Sequence, residues 1–303
     1  MTKRQMIQEM SVAYPVRLLC QVLDISPSSY YYTPQGRDDL AVLSWIEDIL
    51  MRFPTYGYRR VTAQLQREGH GLNHKRVQRI MAENDLLAVV KGRIKTTHGG
   101  HGYGRYPNLV QGLQVTHPDQ VWCADITYIQ LRRGFVYLAI ILDLFTRSLR
   151  GWNLARTLST ELALTALERA LATRVPEIHH SDQGVQYAAD GYVERLQAAE
   201  VQISMAAIGQ PTQNAYAERV IRTIKEEEVY LADYVDFADA YHRIGHFIED
   251  VYQTKRIHSA LGYLTPAEFE AAHWARQGSL ALPTVISQPS ACLETTPAKP
   301  GWP

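Results

Sequence analysis

Cysteine is scarce in this sequence. The only three, Cys20, Cys123 and Cys292, lie far apart with no C-x-x-C pair among 303 residues, which excludes a disulfide framework and a zinc ribbon. Long apolar runs are missing as well. The longest, FVYLAIIL from Phe135 to Leu142, falls well short of the roughly 18 residues of a membrane helix and suits a buried strand. The amino terminus, MTKRQMIQEM, has no apolar centre of the kind a signal peptide needs. An intracellular protein is therefore expected. Net charge is absent too, at zero, which at first argues against a nucleic-acid partner.

The charge is unevenly spread, however. Between Met51 and Arg105 eleven basic residues stand against three acidic ones, Glu68, Glu83 and Asp85, and such asymmetry is a hint that one part binds nucleic acid. Residues 15–32, PVRLLCQVLDISPSSYYY, predict two short helices around a turn at Asp24 to Ser26, the second opened by Pro27. They read either as a small helix-turn-helix or as a packing pair. From Leu40 to Leu87 three amphipathic helices are predicted: LAVLSWIEDILMRF, RRVTAQLQREG ended by Gly69, and NHKRVQRIMAENDLL with Asn73 as N-cap. In the third, Val77, Ile80 and Met81 recur at core spacing, while Lys75, Arg76 and Arg79 lie mostly off that stripe, where phosphates or base edges are within reach. With Arg59 and Arg60 they are the candidate DNA contacts of this region.

The stretch GGHGYGRYPNLVQGLQVTH, Gly99 to His117, has glycines, tyrosines and no period, and reads as a linker. Its His101 and His117, and His98 just before it, have no cysteine or acid at ligand spacing and are read as solvated or DNA-facing. The period then changes. VWCADITYIQL, FVYLAIILDLFTR and SLRGWNLA predict three meandering antiparallel strands. The helix STELALTALERALA, the strand EIHHSD, the helix DGYVERLQAA and the strand VQISMA follow. The result is an α/β fold with a mixed five-stranded sheet, in the order used by ribonuclease H-like domains, preceded by an all-α region. Fold order alone does not establish function.

Three acids stand out on this frame. Asp125 lies inside the first strand, where aspartate is disfavoured. It shares a face with Cys123 and Thr127. Asp182 ends the fourth strand in IHHSDQGVQY; taken alone, it is an ordinary turn aspartate. In the ribonuclease H-like order the first and fourth strands are neighbours, so Asp125 and Asp182 are expected to converge. Glu218 sits on a helix expected to begin near Thr212, where Ala217, Ile221 and Ile224 form the core stripe and Glu218, Arg222 and Lys225 the adjoining one. Arg222 is either a DNA contact or a surface partner of Glu218. Carboxylates in one cleft repel unless a cation neutralises them, and all-oxygen ligation points to Mg²⁺ or Mn²⁺. Two such ions about 3.5–4 Å apart clamp both oxygens of an in-line phosphoryl displacement, with water or a DNA 3′-hydroxyl as nucleophile.

The words WCADITYI, HSDQGVQY and GQPTQNAYAERVIRTIKEE, with 35 residues between Asp182 and Glu218, resemble the DDE motif of retroviral integrase-like transposases, most closely the OrfB product of insertion sequence family 3. VYQTKRIHSALGYLTPAEFE, Val251 to Glu270, is similar to the end of that family's catalytic domain, and YGYRRVTAQL to its helix-turn-helix region. The resemblance implies that Asp125, Asp182 and Glu218 are the catalytic triad and hold two Mg²⁺ ions, Mn²⁺ being an alternative. It implies that Lys225 holds the DNA end, and that Gln186 and Asn214 contact DNA or order the active-site loop. Arg256 and His258 stay open between DNA contact and packing. Gln213 and Gln253 depart from the family's usual aspartate and asparagine.

The organisation that follows is a short helical region (1–36), a helix-turn-helix DNA-binding domain (37–98), a linker (99–117), an integrase catalytic domain (118–275) and a flexible tail (276–303). The resemblance implies a bacterial enzyme that cuts the ends of an insertion sequence and joins them to DNA. Its partners would be terminal repeats, target DNA, further copies of itself and an upstream OrfA product. The alternatives are a catalytically silent DNA-binding relative and a hydrolytic ribonuclease H-like nuclease.

Overall fold

The computed structural model describes residues 2–32, 39–88, 106–132, 134–206 and 214–280. It opens with α1 (Lys3–Met10), α2 (Val16–Val22) and α3 (Pro27–Tyr31). α1 has no clear apolar stripe to announce it, but Thr2 and Gln5 form a reciprocal capping box at its start. The pair α2 and α3 falls where the sequence predicts it, with the Ser29 amide donating to the Ser26 hydroxyl at 3.1 Å. Ile7, Leu19 and Cys20 give these helices a small core of their own.

The three predicted helices of the basic region are α4 (Asp39–Arg52), α5 (Tyr58–Arg67) and α6 (His74–Glu83). α5 stops because Gly69 adopts φ +91, a left-handed conformation that glycine enters at low cost. This lets the His70 amide return to the Leu65 carbonyl at 2.8 Å and the Gly69 amide to Gln66 at 3.1 Å, a Schellman closure. Asn73 caps α6 through its side chain, which accepts from the Lys75 amide at 2.9 Å. Val77, Ile80 and Met81 are buried with Val42, Ile46, Ile49, Val61 and Leu65, and Ile257 enters the same core from the other end of the chain.

The second domain is a five-stranded sheet of order β3-β2-β1-β4-β5. Its strands are β1 (Val121–Gln130), β2 (Phe135–Asp143), β3 (Leu149–Ala155), β4 (Ile178–Ser181) and β5 (Gln202–Met205). The first three pair antiparallel, and β4 and β5 add in parallel to β1. Alternation decides the layers. Val121 and Cys123 of β1, with Leu138, Ile140 and Leu142 of β2, pack against Ala217, Ile221 and Ile224 of α9 (Ala215–Ile224) and Ala240 and Ile244 of α10 (Phe237–His246). Trp122 and Ala124, with Ala139 and Ile141, pack on the other side against α7 (Thr160–Leu171) and α8 (Asp190–Ala198). Gly151 on β3 lets α7 lie close, since a Cβ there would run into the Ala166 carbonyl. The last helix, α11 (Pro266–Leu280), continues past the expected start of the tail at 276.

The linker expected over 99–117 is packed where it is described. The Leu109 amide donates to Ser204 Oγ at 2.9 Å, and Tyr106, Val110 and Val115 rest on the two cores. Over 106–117 the absence of period reflects an irregular strap on the catalytic domain. His98, His101, Gln213, Cys292 and the expected helix start at Thr212 lie outside the described residues. His117 is half-buried, with Nδ1 3.1 Å from the Pro118 carbonyl oxygen and Nε2 3.3 Å from Glu177. No helix among the described residues is long and apolar enough to cross a membrane.

Candidate active site

Odd positions of β1 face α9, so Asp125 points toward the helix that carries Glu218. Parallel pairing of β1 with β4 sets Cys123 opposite His180. β4 ends at Ser181, which brings Asp182 up beside the middle of β1. The Asp182 carboxylate also caps its turn, accepting the Gly184 amide at 2.9 Å. A Cβ on Gly184 would fall 2.9 Å from Asp182 Oδ1 and 3.3 Å from the Tyr187 ring, so the glycine lets the turn fold tightly against the acid. The turn-forming role and convergence with Asp125 both hold.

Glu218 lies exposed in the first turn of α9. What docks this helix end is Asn214, buried just before it, whose Nδ2 donates to the Ala124 carbonyl at 3.0 Å. One amide therefore joins the start of the Glu218 helix to the residue preceding Asp125. Gln186 plays a similar part in the neighbouring loop, donating through Nε2 to the Leu158 carbonyl at 3.3 Å. For both amides the structure displays the loop-ordering alternative.

Two groups of acids contrast in charge. Asp119, Asp143 and Glu270 surround Arg150, at 2.8, 3.3 and 2.8 Å, and so are paired with a cation of the chain itself. Asp125, Asp182 and Glu218 make no ion pair among the described residues. Burial first, then repulsion from Asp182 and Glu218, pushes the Asp125 carboxyl up to about 8 against the pull of the Ile126 amide and Lys225. Asp182 is raised too, by the surrounding protein mass, although its outer edge is exposed and the Gly184 amide pulls the other way. Among the described residues no three His, Cys, Asp or Glu side chains lie close enough to form a metal cage, so the acids sense one another without closing into a common ligand set. The all-oxygen donors and the missing counter-charge suit a hard divalent cation.

Lys225 is half-buried with its ammonium 4.8 Å from the Tyr128 ring centre. Burial lowers its pKa while Asp125 raises it, so it lies at the edge of the same site. Arg222 pairs with Glu226 at 2.7 Å, not with Glu218 as its surface alternative had it. That arrangement leaves the Glu218 carboxylate uncommitted.

The basic residues of the helical region divide. Arg59, over the Tyr58 ring at 5.5 Å, and Lys75 are exposed. Arg76 and Arg79 both grip Asp39, at 2.8 and 2.7 Å, and Arg60 is turned onto Glu227. Of the five expected DNA contacts these three hold acids of the chain, Arg79 while still 45% exposed, and Arg59 and Lys75 hold none among the described residues. Arg256 is buried against the same Glu227, and His258 packs edge-on to Tyr252, which decides both for packing. Gln253 bridges β3, accepting the Leu149 amide at 3.2 Å and donating to its carbonyl at 2.9 Å. A residue that the sequence reading passed over is Tyr187, buried on the α7 and α8 side of the sheet against Tyr192; nothing local says that its phenol is enclosed.

A ribonuclease H-like sheet with unpaired acids on adjoining strands and a facing helix, joined to a basic three-helix region, defines the class of DNA-strand-transferring nucleotidyl enzymes. Comparison with known proteins agrees. The Integrase core domain family matches residues 115–211 and, by a second description of the same name, 199–266, while the HTH-like domain family matches 37–93. The transposase for insertion sequence element IS629 of Shigella sonnei is 32% identical over 289 residues, covering 90% of this chain and 97% of the relative. The transposase for IS904 of Lactococcus lactis is 36% identical, covering 71% and 87%. A putative transposase for IS986/IS6110 of Mycobacterium tuberculosis is 30% identical, covering 84% and 98%. The chain belongs to the insertion-sequence transposases with a DDE integrase core, in line with the OrfB group of insertion sequence family 3. Solved structures include the HTLV-2 integrase catalytic core domain in complex with magnesium, at a TM-score of 0.44 and 14% identity, covering 52% of this chain and 99% of that one.

Proposed function

We propose that Asp125, Asp182 and Glu218 form the centre at which this transposase cuts the ends of its element and joins them to target DNA. The observation that carries the reading is the convergence of three acids of the DDE spacing, on β1, after β4 and on α9, where Asp182 and Glu218 both act on the Asp125 carboxyl and none of the three has an ion pair among the described residues. The donor set fits Mg²⁺ or Mn²⁺, a pair of which supplies charge neutralisation at the attacking and leaving oxygens. The chain's part is to hold the carboxylates and the DNA. The Asn214 amide keeps the Glu218 helix registered on β1. Lys225 meets a phosphate of the element end, and Arg222 reaches the DNA when it leaves Glu226. Arg59 and Lys75 contact the backbone of the terminal repeat from α5 and α6, with Gln186 and Asn214 shaping the loop beneath.

Joining needs two element ends held together, so at least two copies act on DNA, in the bacterial interior where that DNA lies. An OrfA product supplies a further partner. The test is a strand-transfer assay with Mg²⁺ on the element's own end sequences, wild type beside Glu218→Gln. Joined products from the wild type alone support the reading. Equal products from both overturn the assignment of Glu218, and cut ends that never join favour a hydrolytic nuclease.

A further inference from the structure

The turn from β2 to β3 holds a backbone that glycine would enter at lower cost. Arg147 there has φ +61, a left-handed conformation that is uncommon for a residue with a Cβ and is met most often where a loop has a function. The turn is fixed from several sides. Asp143 Oδ1 accepts the Phe145 and Thr146 amides at 2.7 and 2.8 Å. The Arg147 amide donates to the Asp143 carbonyl at 3.0 Å, and the Tyr252 hydroxyl donates to the Arg147 carbonyl at 3.0 Å.

The side chain so placed has no counter-charge. Its guanidinium carbon lies 4.0 Å from the centre of the Tyr216 ring, and among the described residues it makes no ion pair or hydrogen bond, Nη1 being enclosed without a partner. Arg147 and Tyr216 line an open cleft of about 520 Å³ between this turn, the strap that precedes β1 and the start of α9. Asn108, Gln111 and Gln114 add the amides of the strap; the remaining lining residues are apolar, and none is acidic. Asn108 repeats the pattern of Arg147. Its Oδ1 accepts the Val110 and Gln111 amides at 2.9 and 3.1 Å, while its Nδ2 is enclosed without a partner. Two residues of one cleft thus carry donors that the described chain does not use, and acceptor oxygens are what such donors bind.

Size and chemistry restrict the occupant. The volume is that of a small-molecule pocket, with room for one nucleotide and none for a duplex. A guanidinium held flat against an aromatic ring presents the edge of its fork to a phosphate. Amides suit the edges of an unstacked base, and apolar or aromatic surface suits its faces. Tyr216 is 52% exposed, so its ring is only partly covered by the arginine.

We propose that this cleft binds one unstacked nucleotide of a DNA strand, Arg147 donating to its phosphate and Asn108 with the strap glutamines to its base. Tyr216 stands two residues before Glu218 on α9, so the cleft sits at the start of the helix that carries the third acid. The inference rests on the reading that DNA is brought to this helix, and goes beyond it in requiring an unpaired nucleotide.

The experiment measures, by fluorescence anisotropy in chelator, binding of the full chain to a labelled oligothymidylate single strand and to a blunt duplex of the element's end, with thermal midpoints alongside. The proteins are wild type, Arg147→Gly, Tyr216→Ala and Glu218→Gln. Glycine relieves the turn while deleting the guanidinium, so Arg147→Gly should keep its midpoint and bind the single strand about tenfold more weakly, the order of one lost base-binding contact, with duplex affinity unchanged. Tyr216→Ala should weaken the single strand alone in the same way. Equal losses on both probes would make Arg147 a general backbone contact and overturn the cleft, as would wild-type affinity for the single strand in Arg147→Gly. If Arg147→Gly unfolds, Tyr216→Ala decides in its place, and single-strand affinity retained there overturns the inference. A wild type that binds the duplex but not the single strand overturns the cleft alone, and one that binds neither overturns the DNA reading with it. Joined products from Glu218→Gln in Mg²⁺ would overturn the role of Glu218 and leave the cleft standing, since binding in chelator does not pass through the acids.

Discussion

Arg60 on α5 holds Glu227 at 3.0 Å across the junction between the helical region and the catalytic domain. Glu227 lies in the π-helical turn Lys225–Val229 that continues α9, a type of irregularity often found at functional sites. Arg256 grips the same carboxylate through Nε and Nη2, both at 2.7 Å. Tyr56 completes the junction, its hydroxyl accepting the Ile257 amide at 3.0 Å. The DNA-binding region is thereby seated on the segment that directly follows Glu218 and Lys225.

From this junction an order of costs follows. Glu227→Ala leaves Arg256 buried without its counter-charge and is expected to cost about 3 kcal/mol. Arg60→Ala leaves the Arg256–Glu227 pair whole and removes a more exposed guanidinium, for about 1 kcal/mol or less. Urea denaturation of the full chain compares them, and equal losses would contradict the arrangement. Burial alone pushes the Glu227 carboxyl up, but its bonds and charge pairing with Arg256 and Arg60 outweigh that and hold it below its ordinary 4.5. Its contribution is therefore present at neutral pH and lost as the pH falls below about 4.5.

Asp125 has the opposite sign. With its carboxyl raised from 3.8 to about 8, the folded protein keeps a proton that the unfolded chain has released, so metal-free stability declines as the pH rises through that window. Asp125→Asn removes this slope. Thermal midpoints taken in chelator from about pH 5 to about pH 8 should show the variant gaining on wild type; a constant difference would mean that Asp125 is ionised throughout.

Asn214→Ala removes the tie between α9 and Ala124. Strand transfer should fall by about 100-fold, the order expected when a reacting group is misplaced by about 1 Å, while stability falls by no more than about 1–3 kcal/mol. Activity near wild type in the folded variant would show that Glu218 is positioned by core packing alone.

Lys225→Gln should weaken binding of element ends without changing which sequence is preferred. Fluorescence anisotropy across a salt series should give a slope lower by about 1, the signature of one lost phosphate contact. An unchanged slope would leave Lys225 with its Tyr128 contact as its whole role.

Much of this was legible locally. The five strands follow from alternation and glycine-marked turns, and α6 from a capping asparagine ahead of a helical stripe. The Asp125 and Asp182 convergence was legible through strand order. α1 was not, because its capping box lies outside any apolar period, and residues 106–117 looked like a linker because a packed irregular strap has no period to read.

The sequence by itself determined the order of the three basic-region helices and of the five strands, the faces they bury, and the identity and spacing of the three acids. These depend on neighbours a few residues away. Only the tertiary structure decided how charged and polar side chains are partnered: Arg76 with Asp39, 37 positions apart, Arg60 with Glu227, 167 positions apart, and the Tyr187 hydroxyl with no partner among the described residues. An ionic or phenolic side chain has many partners of similar energy on a folded surface, and packing across the whole chain selects among them.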